Sequence, residues 1–327
     1  MSHVSRRALL SSIGAAFLAH QLVPDKAPFG GRLLGASHTR GHLLRGAELP
    51  APTAPPEQTD VVIVGAGASG LGAAYRLRES GLALTVLELE DFVGGTSAWG
   101  DDGVVSHPWG AHYLPAPGPE ARAVLRLLSD LGVVTGWDAA GLPRFDEERL
   151  CHAPEERLFY RGRWHEGLTP TAALEPAERA ELARFEAAEA ELEEAVGRDG
   201  RPVFQIPVER SSRDPRWLEL DRISMADWLL REGYRTPFLR WYVDYATRDD
   251  FGGHAEDVSA WAGLHYFAAR KLRTEQLAGS HYLVWPEGNG WLLRRMLDRT
   301  PLRAVTGAVA LGVEPTARGV EVRYFDA

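Results

Sequence analysis

Cysteine is almost missing from this 327-residue chain, where Cys151 stands alone. One thiol excludes an internal disulfide and any metal site built from several cysteines. It reads as an ordinary buried thiol. Lysine is nearly as scarce, with Lys26 and Lys271 the only two, so the basic charge is almost all arginine. Acidic residues number 45 against 36 basic ones. The net charge of −9 argues against nucleic acid as a partner. HExxH, CxxC and GxSxG runs are absent, which removes the usual zinc-hydrolase, redox-dithiol and serine-hydrolase readings. No apolar run reaches the roughly 20 residues of a bilayer-spanning helix, so no stable membrane span is expected. Hydrophobic residues still make up 45% of the chain, enough for two cores.

What is present concentrates between residues 60 and 96. Val61 to Val64 reads as a buried-type strand, and Gly65, Gly67 and Gly70 form a glycine turn leaving it. An alanine-rich helix is expected from about Ser69 to Ser80. Gly81 ends it, and a second strand, Leu84 to Leu87, closes on Glu88. A glycine turn between strand and helix, with an acid at the next strand's end, is the context that holds a dinucleotide. Gly65 permits the sharp turn, and Gly67 leaves bare backbone for a pyrophosphate. Gly70, with Ala73 and Ala74, lets the helix lie close to the sheet. The helix start at Ala68 and Ser69 offers free N–H groups and a positive dipole end to phosphates. Glu88 is placed to accept hydrogen bonds from ribose hydroxyls. Its removal is expected to weaken binding and spare the fold, because it sits at a strand end.

Gly94-Gly95-Thr96 follows, with the glycine pair six residues after Glu88, a feature NAD does not require. It resembles the second signature of the FAD-dependent amine oxidase, protoporphyrinogen oxidase and phytoene desaturase superfamily. There the segment curls back over the cofactor phosphates, and here Thr96 has a hydroxyl to donate to them. Gly110-Ala111-His112 is similar to the family segment that passes the flavin. Trp285-Pro286-Glu287-Gly288 is similar to the turn that returns the chain to the FAD domain. Val309 then falls where a valine backbone meets the adenine.

The resemblance spans residues 58 to 327 and implies FAD as cofactor. It also implies hydride transfer from a C–H bond beside an amine, or from a C–C bond being unsaturated, to the flavin. An NAD-dependent dehydrogenase is disfavoured by the glycine pair. Two departures stand out. Glu90, Phe92 and Thr96 occupy places where the family often has arginine. The family's chains also run considerably longer, and its last flavin segment has no counterpart before Ala327. A fragment or reduced relative is therefore expected, with a non-catalytic flavin-binding piece as the alternative reading. The family's flavin-facing lysine would fall downstream of Val309, so Lys271 does not take that role and no catalytic residue is named.

Ser5-Arg6-Arg7 before the mildly apolar stretch Ala8 to Ala19 fits a twin-arginine signal. That predicts the twin-arginine machinery as a partner and export to the periplasm or envelope. The organisation expected is a signal over 1–20, a linker over 21–58 and a first part of the FAD domain over 59–144. A substrate domain over 145–280 and a second part of the FAD domain over 281–327 complete it. The fold class is thus α/β, a Rossmann-like domain with a mostly helical insertion. Helices are expected over 117–131, 176–196, 224–232, 237–246 and 259–270, with a hairpin turning at Arg161-Gly162. Trp241, Tyr242, Tyr245, Trp261, His265, Tyr266 and Phe267 divide between core and the wall of a small-molecule substrate pocket. His254, Glu256 and Asp257 read as polar surface rather than a metal site.

Overall fold

The computed structural model describes residues 33–45, 53–151, 156–270, 272–277 and 281–326. The twin-arginine run, part of the expected linker and Lys271 lie outside them. A short helix, α1 (His38–His42), precedes the first strand, β1 (Val61–Val64). Helix α2 (Ala68–Leu77) leads to strand β2 (Leu84–Leu87). β2 is the centre of a three-stranded parallel sheet, with β1 on one side and Arg303–Val305 on the other. Parallel neighbours need a crossover, and α2 supplies the one between β1 and β2.

Three local expectations change. β1 was expected as a buried strand, but among the described residues it has one neighbour, and Val64 is 56% exposed. α2 ends at Leu77 rather than Ser80, where the Ser80 hydroxyl donates to the Leu77 carbonyl. Ala74 packs inward with Leu71 and Tyr75, whereas Ala73, one step round the helix, faces out.

The described residues hold two hydrophobic cores. One gathers Leu71, Val86, Leu128, Phe145, Leu150, Leu277, Leu283 and Trp291, from both sides of the helical stretch in sequence. The strand pair Tyr113–Pro115 and Tyr282–Val284 ties those two sides together. The second core lies wholly between Leu174 and Ala269. Helices Pro176–Glu194, Met225–Arg231, Pro237–Phe251 and Ala260–Ala268 form it. Phe185 is at its centre, edge-on to Phe267 at 5.1 Å and to Tyr234 at 5.7 Å. Burying one such ring is worth about 1.5–3 kcal/mol.

Sequence cues explain most of these helices. Ser224 and Ser259 accept hydrogen bonds from Asp227 and Ala262 N–H groups as N-caps. The first long helix carries a Glu175/Glu178 capping box and ends at Glu194, so Val196 falls outside it. The Pro237 helix continues to Phe251, beyond the expected Ala246, and stops at left-handed Gly252. Arg161 and Gly162 both take positive φ between Arg157–Tyr160 and Arg163–Glu166, the hairpin the sequence indicated.

Candidate functional site

The glycine turn is built by close packing. A Cβ on Gly70 would lie 1.8 Å from the Gly65 carbonyl oxygen, so only glycine lets α2 start so near β1. Gly95 turns back against this loop, and a Cβ there would sit 3.2 Å from the Gly67 Cα. The Gly94 N–H donates to the Ala66 carbonyl at 2.9 Å and holds the two glycine segments together. Among the described residues no acceptor takes the N–H groups of Gly67, Ala68, Ser69 or Gly70. Ala68, Ser69, Gly95 and Thr96 are exposed beside them. Free donors at a helix start, walled by bare backbone, form a cradle that suits a pyrophosphate.

Glu88 is only 7% exposed. One carboxylate oxygen accepts from Ala66 N–H at 2.6 Å and the other from Glu90 N–H at 2.9 Å. The expectation that its loss would spare the fold is therefore corrected: its carboxylate clamps the glycine turn to the end of β2. Each oxygen keeps acceptor capacity for a ribose hydroxyl. The chain returning from Arg303–Val305 joins the same place, where Gly307 N–H donates to Glu90 and Ala308 N–H to Glu88, each at 2.8 Å. Val309, fully buried, follows directly.

The Gly110–His112 segment is anchored to the glycine pair's continuation. Ala111 N–H donates to the Thr96 carbonyl at 2.9 Å, and a Cβ on Gly110 would come within 2.5 Å of that oxygen. His112 is exposed, with Nδ1 3.2 Å from the Gly110 carbonyl and its ring edge-on to Tyr113 at 4.9 Å. Gly65, Gly67, Ala68, Ser69, Gly70, Glu88, Gly94, Gly95, Thr96, Gly110, Ala111, His112 and Val309 thus lie on segments that these bonds join: the turn into α2, the end of β2, the loops bearing Gly94–Thr96 and Gly110–His112, and the strand beginning at Ala308.

Sequence reasoning missed a tyrosine group at the seam between the two cores. The Tyr113 and Tyr282 rings meet edge-on at 4.6 Å, and Arg270 lies over Tyr266 at 4.1 Å. Burial pushes the Tyr113 hydroxyl up to about 12 and raises Tyr242, Tyr266 and Tyr282 as well. Tyr113 and Tyr282 are pairing residues of short strands with no periodic signal, so only the fold shows that they come within electrostatic reach of Tyr266. Of the aromatic residues expected in core or pocket, Phe267 is buried, and Trp241, Tyr242, Trp261 and Tyr266 are partly buried against the helical core. His254 and Glu256 gather with Asp244 instead of Asp257. Asp244 already receives Ala255 N–H at 3.0 Å and Arg248 Nε at 3.0 Å. Burial opposes ionisation of Asp244, but those donors and His254 hold its carboxyl below the usual range.

Known proteins are similar to this chain. The NAD(P)-binding Rossmann-like domain family matches residues 63–131. AofH of Mycobacterium tuberculosis, whose name assigns it as a flavin-containing monoamine oxidase, is 30% identical over 221 residues. That match takes in 67% of this chain and 42% of AofH. The chain belongs to the FAD-dependent amine oxidase superfamily. Bovine flavin-containing amine oxidase B is 43% identical over 118 residues, 36% of this chain and 21% of that protein. Among solved structures, a putrescine oxidase bound to putrescine superposes with a TM-score of 0.57 at 20% identity. It covers 83% of this chain and 55% of that one, and a cyclohexylamine oxidase from Brevibacterium oxydans matches to the same extent at 0.56. These two likenesses concern the fold. The chain spans less than half the length of the curated amine oxidases it matches.

Proposed function

We propose that this chain is the FAD-binding and substrate-facing portion of an amine-oxidising flavoenzyme. One observation carries the cofactor reading: Gly94-Gly95 folds back on the Gly65–Gly70 turn beside unpartnered N–H groups. A single glycine turn would serve NAD, whereas the second glycine layer walls the phosphates from the other side. Glu88 would hold the adenosine ribose, and the N–H groups of Gly67 to Gly70 the pyrophosphate. Thr96 and the Gly110–His112 segment lead from there toward the isoalloxazine. When bound, the flavin would supply the redox chemistry for oxidising a C–H bond beside an amine.

The substrate reading rests on the tyrosine group beside His112. Tyr266 already carries a guanidinium on its face, so this wall accommodates a cation, and a protonated amine has the same need. Tyrosine hydroxyls with raised pKa stay neutral and can orient an amine without competing for its proton. The relative named for monoamines supports an amine substrate.

Purified protein should show a flavin spectrum, release FAD on denaturation, and be bleached anaerobically by an amine. A colourless chain that binds NADH and not FAD would overturn the cofactor. A yellow chain that no amine bleaches would leave flavin binding and remove turnover.

Folded export through the twin-arginine machinery, to the periplasm or envelope, belongs to the same proposal. It rests on Ser5-Arg6-Arg7 and on the need to load FAD before export. Arg6→Lys with Arg7→Lys should trap the protein in the cytoplasm, and equal export of both forms would end that reading.

A further inference from the structure

The end of β2 is strongly acidic for a place that faces a ligand of two phosphates. Glu88, Glu90 and Asp91 put three carboxylates within four residues. Glu90 is 7% exposed, so its charge is poorly shielded by solvent. Among the described residues, the cation within ion-pair reach of Glu90 or Asp91 is Arg40, which comes from α1, far upstream in sequence. Its guanidinium lies 3.4 Å from Glu90 and 3.5 Å from Asp91, and the side chain is 24% exposed. Ser37, the N-cap three residues before Arg40, adds an independent tie. Ser37 N–H donates to the other Glu90 oxygen at 2.8 Å, while the Ser37 hydroxyl caps α1 by accepting from Arg40 N–H. Glu90 is joined in turn to Glu88 through its own N–H and to Gly307 through its carbonyl. A continuous chain of bonds therefore runs from Ser37 and Arg40 through Glu90 to the Glu88 carboxylate at the end of β2.

We infer that residues 37–43 form a clasp on the cofactor site, with Arg40 as a positioning residue. This rests on the dinucleotide reading above. Arg40 neutralises the Glu90–Asp91 pair, which would otherwise repel a pyrophosphate within the Debye length of about 8–10 Å. It also holds Glu90 in the orientation that presents its N–H to Glu88. Docking of the clasp and cofactor binding must then favour each other, because linkage is reciprocal.

The test uses the full chain and FAD itself, in four forms: unaltered, Arg40→Gln, Arg40→Glu, and Arg40→Glu with Glu90→Arg. FAD affinity is read by fluorescence quenching, and chymotryptic cleavage at Leu43 and Leu44 is timed with and without FAD. Arg40→Glu should weaken FAD binding by about tenfold to a hundredfold. The charge swap should recover most of that loss, and FAD should slow cleavage of the unaltered chain and not of Arg40→Glu. Arg40→Gln, which cannot add repulsion, should fall between. FAD binding by Arg40→Glu as tight as in the unaltered chain would overturn the clasp, as would a swap that restores nothing. An unaltered chain that binds no FAD would instead remove the cofactor reading beneath it.

Discussion

The two cores are held by different physics. Around the dinucleotide cradle, backbone meets backbone: glycine carbons touch, N–H groups reach across loops, and the buried acids Glu88 and Glu90 act as clamps. In the helical region side chains do the work, with Phe185, Tyr234, Trp228 and Phe267 packed edge to face and stacked. The first kind of packing tolerates almost no added atom and gives a rigid site. The second tolerates changes of shape at a cost in stability, which suits a region whose surface must fit a substrate.

Several experiments would break or sharpen that contrast. Phe185→Ala should have the largest effect, about 3–5 kcal/mol, from the cavity at the centre of the aromatic core. Thermal unfolding should then show an early loss of helical signal while flavin absorbance persists to higher temperature. A single transition for both would show that the cores melt as one.

Gly70→Ala should destabilise the chain and also cost on the order of a hundredfold in FAD affinity, as the new methyl drives α2 from the Gly65 carbonyl. Gly72→Ala is the matched control, because nothing lies within 4 Å of its Cβ position and helix propensity should improve. Equal FAD binding in all three proteins would remove the close approach as the reason for glycine.

Glu88→Ala should weaken FAD binding by about tenfold to a hundredfold. It should also destabilise the chain by about 1–3 kcal/mol for each N–H left unpaired at Ala66 and Glu90. Unchanged stability measured without FAD would mean water replaces the clamp.

The smallest effect concerns Glu189. Burial first, then the neighbouring Glu193 and Glu186 carboxylates, push it up to about 7, against the pull of Arg273. Its folded pKa lies above the unfolded 4.5, so the neutral acid favours the fold at low pH. That contribution is complete below about 4.5 and fades as pH rises through 7. The pH profile of Tm should slope downward across this window, and Glu189→Gln should flatten it.

The sequence by itself determined the local conformations and the character of the cradle. Gly65, Gly67 and Gly70 announce a strand–turn–helix because only glycine fits those backbone demands. Ser224 and Ser259 announce helix starts because their hydroxyls satisfy free N–H groups nearby in the chain. Glu88 announces the acid at a strand end, but not that Ala66 and Glu90 would hold it. Only the tertiary structure decided contacts between distant segments: Gly95 against Gly67, Tyr113 and Tyr282 beside Arg270 and Tyr266, Arg40 on Glu90. None of these leaves a periodic or local mark, because each depends on loop closure across tens to hundreds of residues. Those closures are paid for by the burial of both cores together.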